Sequence, residues 1–185
     1  MKLNKHILIL LSVMSVITLF VSCNKANYYK ITEEEENSWG IYQLNQSFRF
    51  ISTQGDLLTY SVGGRFKAYQ RNGNTYNEYL YTTLYLQSDS DYSYPDGYRG
   101  VFIDKNADGL SVKVGLPHFY DNVRINDKAP TMQIINGHPY TDVYVVGANP
   151  FYLDSINYID TIYYSKAYGF LQYVDMYGET YTRTQ

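Results

Sequence analysis

Residues 57–86 read LLTYSVGGRFKAYQRNGNTYNEYLYTTLYL, and this stretch decides the fold. Apolar and polar side chains alternate with a period of two on both sides of the Asn72-Gly73-Asn74 turn, which is the pattern of two β-strands. A connection this short joins neighbouring strands into an antiparallel hairpin. We predict that the first strand turns to one face the side chains of Leu58, Tyr60, Val62, Phe66 and Ala68.

A pair of glycines and a row of tyrosines mark the two strands of this hairpin. Gly63-Gly64 interrupts the alternation of the first strand and predicts a bulge or a sharp bend. In the second strand the leucines and the tyrosines alternate, so they fall on opposite faces. One predicted face holds Leu80, Leu84 and Leu86, and the other holds Tyr79, Tyr81 and Tyr85.

The chain from Trp39 onward repeats this pattern of short alternating runs separated by turns. Val143 and Val145 share a face of one such run, and turn sequences such as Ala107-Asp108-Gly109 and Asn136-Gly137 separate the runs. The spacing leaves no room for crossover helices. We therefore predict an all-β domain, an antiparallel meander of about 8–10 strands that forms a strongly curved sheet, a partial barrel or a sandwich.

The N-terminus has the features of an export signal. Lys2 and Lys5 precede an apolar run over residues 7–21, which is shorter than the roughly 20 residues that a membrane-spanning helix needs. The run ends at Leu19-Phe20-Val21-Ser22-Cys23, which resembles a bacterial lipobox, although Phe20 and Val21 depart from its commonest residues. The resemblance implies cleavage before Cys23, a diacylglycerol on its thiol and an acyl chain such as palmitate on its amine. The alternative is an ordinary secretory signal with an incidental cysteine.

These features divide the chain into three parts. We predict a lipoprotein signal peptide over residues 1–22, a polar tether over 23–38 and a β-rich domain over 39–185. Within the tether, Thr32 followed by Glu35 is the pattern of a capping box, so a short helix and a solvated linker are both open there.

The lipid on Cys23 would fix the location of the protein, because two or three acyl chains hold a protein on a membrane permanently. In lipoproteins of the enterobacterial type, Asp after the cysteine favours the inner membrane. Asn24 stands at that position, so we expect a lipid anchor in the outer membrane. The sequence leaves open whether the domain faces the periplasm or the cell surface.

Charge and reactive residues narrow the classes of function. The formal net charge is −3, and removal of Lys2 and Lys5 with the signal peptide makes it −5, which argues against a nucleic-acid partner. The chain has no Gly-x-Ser-x-Gly elbow, and His118 and His138 each lie beside a proline. We therefore predict that the protein is not an enzyme. The alternative is a hydrolase, because paired carboxylates for glycoside hydrolysis are assembled in space and leave no sequence signature.

Tyrosine is the anomaly of the composition, with 23 among 185 residues. A tyrosine ring offers a flat stacking surface and a hydroxyl, so a row of tyrosines can form a platform for a sugar or another amphipathic ligand. The alternative is that tyrosine only fills strands and covers a second sheet face. The irregular segments 88–98 and 147–158 are further candidates for function. The candidate ligand-binding residues are Trp39, Tyr79, Tyr81, Tyr85, Tyr92, Tyr94 and Tyr98.

One turn has the composition of half a calcium site. The run Asp104-Lys105-Asn106-Ala107-Asp108-Gly109 has oxygen-bearing side chains at alternate positions and glycine at the sixth. Gly115 stands at the twelfth position, where a calcium loop has a bidentate glutamate, and a hairpin turn uses the same residues. We predict no cofactor and a simple turn, with weak Ca²⁺ binding by Asp104, Asn106 and Asp108 as the alternative.

Two segments near the ends of the domain carry a family resemblance. The first is Ile31–Glu36 followed by Trp39, Phe48–Phe50 and Gly55-Asp56, and the second is 160–166 with 168–171, followed by 178–181. They resemble the start and the final strands of uncharacterised outer-membrane lipoproteins of Bacteroidota. The resemblance implies a lipid anchor and an antiparallel β domain, and it supplies no activity and no catalytic residues.

Three kinds of function fit an anchored β domain of this type. The leading hypothesis is a non-catalytic binding or accessory protein of the cell envelope, with a glycan, a lipid or an envelope protein as its partner. The second is a structural or assembly subunit, which predicts an exposed apolar patch or an unprotected edge strand. The third is a lipid or lipoprotein carrier with a half-barrel cavity lined by Leu80, Leu84 and Leu86.

Overall fold

The computed structural model describes residues 26–87, 100–116, 124–147 and 159–184. Eleven strands lie in these ranges and belong to one sheet, so the domain is all-β as predicted. The helices described are α1 (Glu33–Trp39) and a 3-10 turn (Ile125–Asp127), and neither is long and apolar enough to span a membrane. The strands are β1 (Asn27–Tyr29), β2 (Ser47–Ser52), β3 (Leu57–Asn72), β4 (Thr75–Leu86), β5 (Gly100–Asn106), β6 (Gly109–Gly115), β7 (Thr131–Ile135), β8 (His138–Gly147), β9 (Ile159–Ser165), β10 (Gly169–Asp175) and β11 (Thr180–Arg183).

The sheet has two halves, and each is a meander. Consecutive strands pair antiparallel from β2 to β6 and from β7 to β11, which confirms the predicted topology. β11 pairs with β2 and joins the halves, so the order is β6-β5-β4-β3-β2-β11-β10-β9-β8-β7. β1 is the exception, because it pairs in parallel with the start of β4.

One face of the sheet encloses the main core. Buried aliphatic and aromatic side chains from both halves form a single cluster, which requires the sheet to curve around them. Trp39 at the end of α1 lies in this cluster and is only 4% exposed. Its ring stacks on Tyr164 and is tilted against Tyr144, at centroid distances of 6.5 and 5.3 Å.

The bulge predicted at Gly63-Gly64 is present, and it reverses the face of the residues that follow. The register of β3 against β4 shifts between Val62 and Gly64. Tyr60 and Val62 precede the shift and are buried, whereas Phe66 follows it and is 59% exposed. The prediction that Phe66 shares the face of Tyr60 is therefore wrong, because one extra residue in a strand turns every later side chain over.

Residues 27–38, which the sequence assigns to the tether, are folded against the sheet. The short helix left open there is present, and its capping box is confirmed. The Glu35 N–H donates to Oγ1 of Thr32 at 3.2 Å, and the Thr32 N–H donates to Oε2 of Glu35 at 2.8 Å. The predicted signal peptide, 1–22, and Cys23 lie outside the described residues.

Ion pairs and a buried hydrogen bond attach this N-terminal segment to the sheet. Glu36 of α1 contacts Arg65 at 2.8 Å and Lys67 at 2.7 Å, both on β3. The hydrogen bond from Lys67 lowers the pKa of Glu36, against the opposing effect of partial burial. Before the helix, the Ile31 N–H donates to the buried carboxylate of Glu78 at 2.7 Å.

The two edges of the sheet differ. At β6 the side-chain amide of Asn126 bonds to the strand as a neighbouring strand would. Its Oδ1 accepts from the Val112 N–H at 2.7 Å, and its Nδ2 donates to the Leu110 carbonyl at 2.9 Å. No described strand pairs with the outer edge of β7, where Met132 and Ile134 are 66% and 70% exposed. Within the described chain, the edge at β6 is protected and the edge at β7 is open.

Candidate functional site

Tyr79, Tyr81 and Tyr85 lie on one face of β4, as predicted, and they face away from the main core. The strand register brings Phe66 of β3 and Phe102 of β5 to the two sides of Tyr81. Phe102 stacks on Tyr79 and meets Tyr81 edge-on, with 6.0 Å between the ring centroids in each pair. These five rings form what we call the outer aromatic surface.

The outer aromatic surface has a structural role, because two of its rings cover the glycine bulge of β3. A Cβ on Gly63 would lie 1.5 Å from the hydroxyl oxygen of Tyr85, and a Cβ on Gly64 would lie 2.6 Å from the ring of Phe66. The rings therefore cover backbone that the glycines leave bare, as aromatic side chains do beside glycine in designed sheets. The three tyrosines are half-buried, and ligand binding at this surface stays a prediction.

Trp39 does not belong to this surface, because it lies on the core side of β4. Its indole packs in the main core, with Nζ of Lys166 at 4.4 Å from the ring centroid. The structure therefore does not bring Trp39 together with the tyrosines of β4. Tyr92, Tyr94 and Tyr98 lie outside the described residues.

Asp104 and Asn106 lie at the end of β5, and Asp108 lies in the turn that joins β5 to β6. Oδ1 of Asn106 accepts from the Asp108 N–H at 2.8 Å, and its Nδ2 donates to Oδ2 of Asp104 at 3.4 Å. These are the local bonds of a turn. The part of the chain that the structure describes contains no group of three or more His, Cys, Asp and Glu side chains that could hold a metal ion.

A cleft that the sequence analysis does not predict lies between the β7–β8 hairpin and the β9–β10 turn. Its volume is about 540 Å³, within the range of roughly 300–1,000 Å³ that is typical of ligand sites. The segment after α1 and strand β11 complete its walls. We call it the hairpin cleft, and its lining includes Ile41, Ile135, Tyr140, Tyr168, Leu171 and Arg183.

The sequence of the β7–β8 hairpin explains how it forms a wall of the cleft. Asn136 and Gly137 both have positive φ, 50° and 75°, which suits the tight turn between the two strands. Beside this turn, Ile135 packs with Val143 and Leu171 in a small second core. This hairpin core joins the hairpin to β10, so the wall has support of its own.

Tyrosines shape the interior of the cleft. The rings of Tyr140 and Tyr168 meet edge to face, with centroids 5.4 Å apart. Deeper in the protein, the hydroxyl of Tyr42 accepts from the Phe170 N–H at 2.7 Å, and it lies where a Cβ on Gly169 would approach it to 2.2 Å. Burial raises the pKa of Tyr42 well above its ordinary value, so its phenol stays neutral.

Arg183 brings a positive charge to the cleft. One of its terminal nitrogens donates to the Tyr168 carbonyl, and its guanidinium lies 5.2 Å from the centroid of the Phe48 ring. Among the described residues no carboxylate forms an ion pair with Arg183, whereas Arg65 pairs with Glu36. The described residues that line the cleft include no Asp and no Glu.

Comparison with known proteins identifies no relative of this chain. No protein-family model matches it, and no curated protein and no solved structure is significantly similar to it. The resemblance to lipoproteins of Bacteroidota therefore stays a prediction. The functional interpretation depends on the geometry of the hairpin cleft.

Proposed function

We propose that this protein is a membrane-anchored, non-catalytic binding protein of the cell envelope and that the hairpin cleft holds its ligand. The observation that carries the proposal is the cleft itself, about 540 Å³ in volume and lined by apolar and aromatic side chains with a few polar groups. Ligand sites in proteins generally have this size and composition. The expected lipid on Cys23 would hold the cleft near the outer membrane, because β1 begins soon after it at Asn27.

The chemistry of the cleft favours binding over catalysis. The described residues that line it include one histidine, His138, and no Asp, Glu, Cys or Ser. A serine or cysteine nucleophile beside a base, or two carboxylates for glycoside hydrolysis, would need such residues. The walls suit the capture of a ligand, because the hairpin core and the buried Tyr42 give the cleft a fixed shape.

The test is a gentle purification of the protein from its own membranes, followed by mass spectrometry of everything that comes with it. We expect a small molecule in stoichiometric amount and its loss in Ala167→Trp, which adds a large ring to an exposed lining position. Thr141→Trp is the matched control, because Thr141 is exposed on β8 outside the lining. An empty protein, or equal cargo in both variants, contradicts the proposal.

A second function, that of a structural or assembly subunit, is favoured by the open edge of β7. Met132 and Ile134 are exposed there, and residues 131–135 carry no charge that would oppose the addition of another strand. The same purification separates the two candidates. A stoichiometric protein partner without a small molecule would support the assembly subunit and contradict ligand binding in the cleft.

The carrier hypothesis has less support, because it needs a cavity on the leucine face of β4. Leu80 and Leu84 are fully buried in the main core. The end of α1 closes over this face, since a Cβ on Gly40 would lie 3.1 Å from a methyl carbon of Leu80. The leucine face is therefore packed, and the hairpin cleft is the better candidate for a ligand site.

A further inference from the structure

We infer that the ligand of the hairpin cleft is an organic carboxylate, a small molecule with an apolar or aromatic body whose carboxylate is bound by Arg183. The inference rests on the proposed function and names the chemical class of the ligand. Three observations carry it, namely the charges around the cleft, the hydrogen bonding of Arg183 and the side chains of the walls.

The charges around the cleft favour an anion. The chain is acidic overall, with a formal net charge of −3, yet the described lining of the cleft includes the cation Arg183 and no carboxylate. A concave site with one sign of charge raises the local concentration of ions of the other sign. Burial raises the pKa of Tyr42, which lines the cleft, and the nearby charge of Arg183 acts in the opposite direction.

The guanidinium of Arg183 is held in position while most of its donors have no described acceptor. The carbonyl of Tyr168 accepts one hydrogen bond from it, and the ring of Phe48 supports it from one side. No described carboxylate lies within 4.0 Å of its nitrogens. A guanidinium has five N–H donors and binds a carboxylate through two parallel hydrogen bonds, so Arg183 retains the donors for such a pair.

The walls of the cleft determine the kind of molecule that carries the carboxylate. Ile135 and Leu171 offer aliphatic surface, and Tyr140 and Tyr168 offer two rings in edge-to-face contact. Aromatic and aliphatic ligand groups pack well against such surfaces. A bare inorganic anion would bind Arg183 and leave the apolar walls exposed to water. An organic acid would bind Arg183 through its carboxylate and cover the walls with its apolar body.

The test uses isothermal titration calorimetry of the full-length protein in an uncharged detergent with three probes. The first probe, 3-phenylpropionate, has a ring and a carboxylate, its primary amide 3-phenylpropanamide has the ring alone, and acetate has the carboxylate alone. We expect 3-phenylpropionate to bind at least tenfold more tightly than the other two probes. Arg183→Gln is expected to weaken its binding at least tenfold and to leave the Kd of the amide unchanged, since a charge-assisted pair is lost.

Three variants control this experiment. Arg49→Gln removes the same charge from an exposed position on β2 outside the cleft and is expected to leave every Kd unchanged. Arg183→Lys keeps the charge without the planar donor pair, so intermediate weakening is expected. Ala167→Trp fills the cleft without changing charge and is expected to block the amide as well as the acid. The Tm of each variant must stay within about 2 °C of wild type for its Kd to be compared.

The outcomes separate this inference from the proposed function. Equal binding of acid and amide, or an unchanged Kd in Arg183→Gln, overturns the carboxylate inference and keeps the cleft as a ligand site. Binding that survives Ala167→Trp lies elsewhere and overturns the inference. Absence of binding by all three probes also overturns the carboxylate inference. The proposed function fails as well only if the protein purified from its native membranes carries no ligand.

Discussion

The two halves of the sheet differ in the partners of an arginine and in the partners of an edge strand. In the half formed by β1–β6, Arg65 pairs with Glu36, and the side-chain amide of Asn126 pairs with the backbone edge of β6. In the half formed by β7–β11, Arg183 has no described carboxylate partner and β7 has no described neighbour on its outer side. Arg65 and the edge of β6 thus have partners among the described residues, whereas Arg183 and the edge of β7 retain groups suited to contact with another molecule.

The largest expected effect comes from a glycine on which the first half depends. Gly100 begins β5 with φ 131°, and an added Cβ would lie 1.8 Å from the carbonyl oxygen of Thr82. Because two central strands would have to move apart, Gly100→Ala is expected to lower the free energy of unfolding by about 4 kcal/mol. Urea denaturation followed by circular dichroism measures the loss.

The matched control for this substitution lies in the second half. Gly147 ends β8, its φ is ordinary, and no described atom lies within 4 Å of an added Cβ. Gly147→Ala is expected to change the free energy of unfolding by less than about 1 kcal/mol. Equal losses in the two variants would contradict the close approach of Gly100 to the Thr82 carbonyl.

The contrast between the two edges is tested by removing the side chain at each. Asn126→Ala leaves the Val112 N–H and the Leu110 carbonyl without their partners, so a loss of about 2 kcal/mol in unfolding free energy is expected. Gln133→Ala on β7 is expected to cost less than about 0.5 kcal/mol, because its amide bonds only to the exposed Thr131. The urea midpoints of the two variants measure the two losses in stability. A larger loss in Gln133→Ala than in Asn126→Ala would contradict the assignment of β6 as the protected edge.

The smallest expected effect concerns the ion pairs of α1 and depends on pH. Lys67 lowers the pKa of Glu36 below its ordinary value of 4.5 in the folded protein. The stabilisation of the folded protein by the ion pairs of Glu36 is therefore complete above that ordinary value. It is lost as the pH falls through the lowered pKa of Glu36. Glu36→Gln is expected to cost about 1 kcal/mol at neutral pH and to flatten the fall of Tm as the pH drops below 4.5.

The control for the pH effect is an acid on the same helix. Glu34 is exposed and forms no described ion pair, so Glu34→Gln is expected to keep the pH profile of Tm of the wild type. Differential scanning calorimetry at several pH values measures both variants. A wild-type profile in Glu36→Gln would show that the contacts of α1 with β3 contribute nothing to stability.

Features that depend on a few neighbouring residues could be predicted from the sequence. The alternation that makes the chain all-β, the turn at Asn136-Gly137, the bulge at Gly63-Gly64 and the capping box from Thr32 to Glu35 are of this kind. Each is determined by backbone preferences or by hydrogen bonds within one turn of chain. The predicted meander followed from the shortness of the connections between strands.

The assignment of faces could not be predicted, because it depends on distant strands. Alternation along β8 gives two faces, and both are buried. Tyr144 and Val146 face the main core, whereas Val143 packs in the hairpin core with Ile135 and Leu171. A local pattern separates the two faces of a strand and does not say which of them meets the larger core.

The candidate site was missed for a related reason. The hairpin cleft is assembled from four segments that are far apart in the chain, and no local motif links Ile41, Ile135, Tyr168 and Arg183. The significance of Arg183 comes from the lack of described carboxylates around it in space, which a linear sequence does not display. The abundance of tyrosine pointed instead to the face of β4.

The position of β11 also determines when the sheet can be completed as the protein is made and exported. This strand, at Thr180–Arg183, lies between β2 and β10, and next to it the Thr184 N–H reaches the Arg49 carbonyl across 135 positions of chain. Closing so long a loop is slow, and until β11 arrives the two meanders have no strand to join them. For a chain exported as the sequence predicts, the two meanders can therefore join into one sheet only after residue 183 has crossed the membrane.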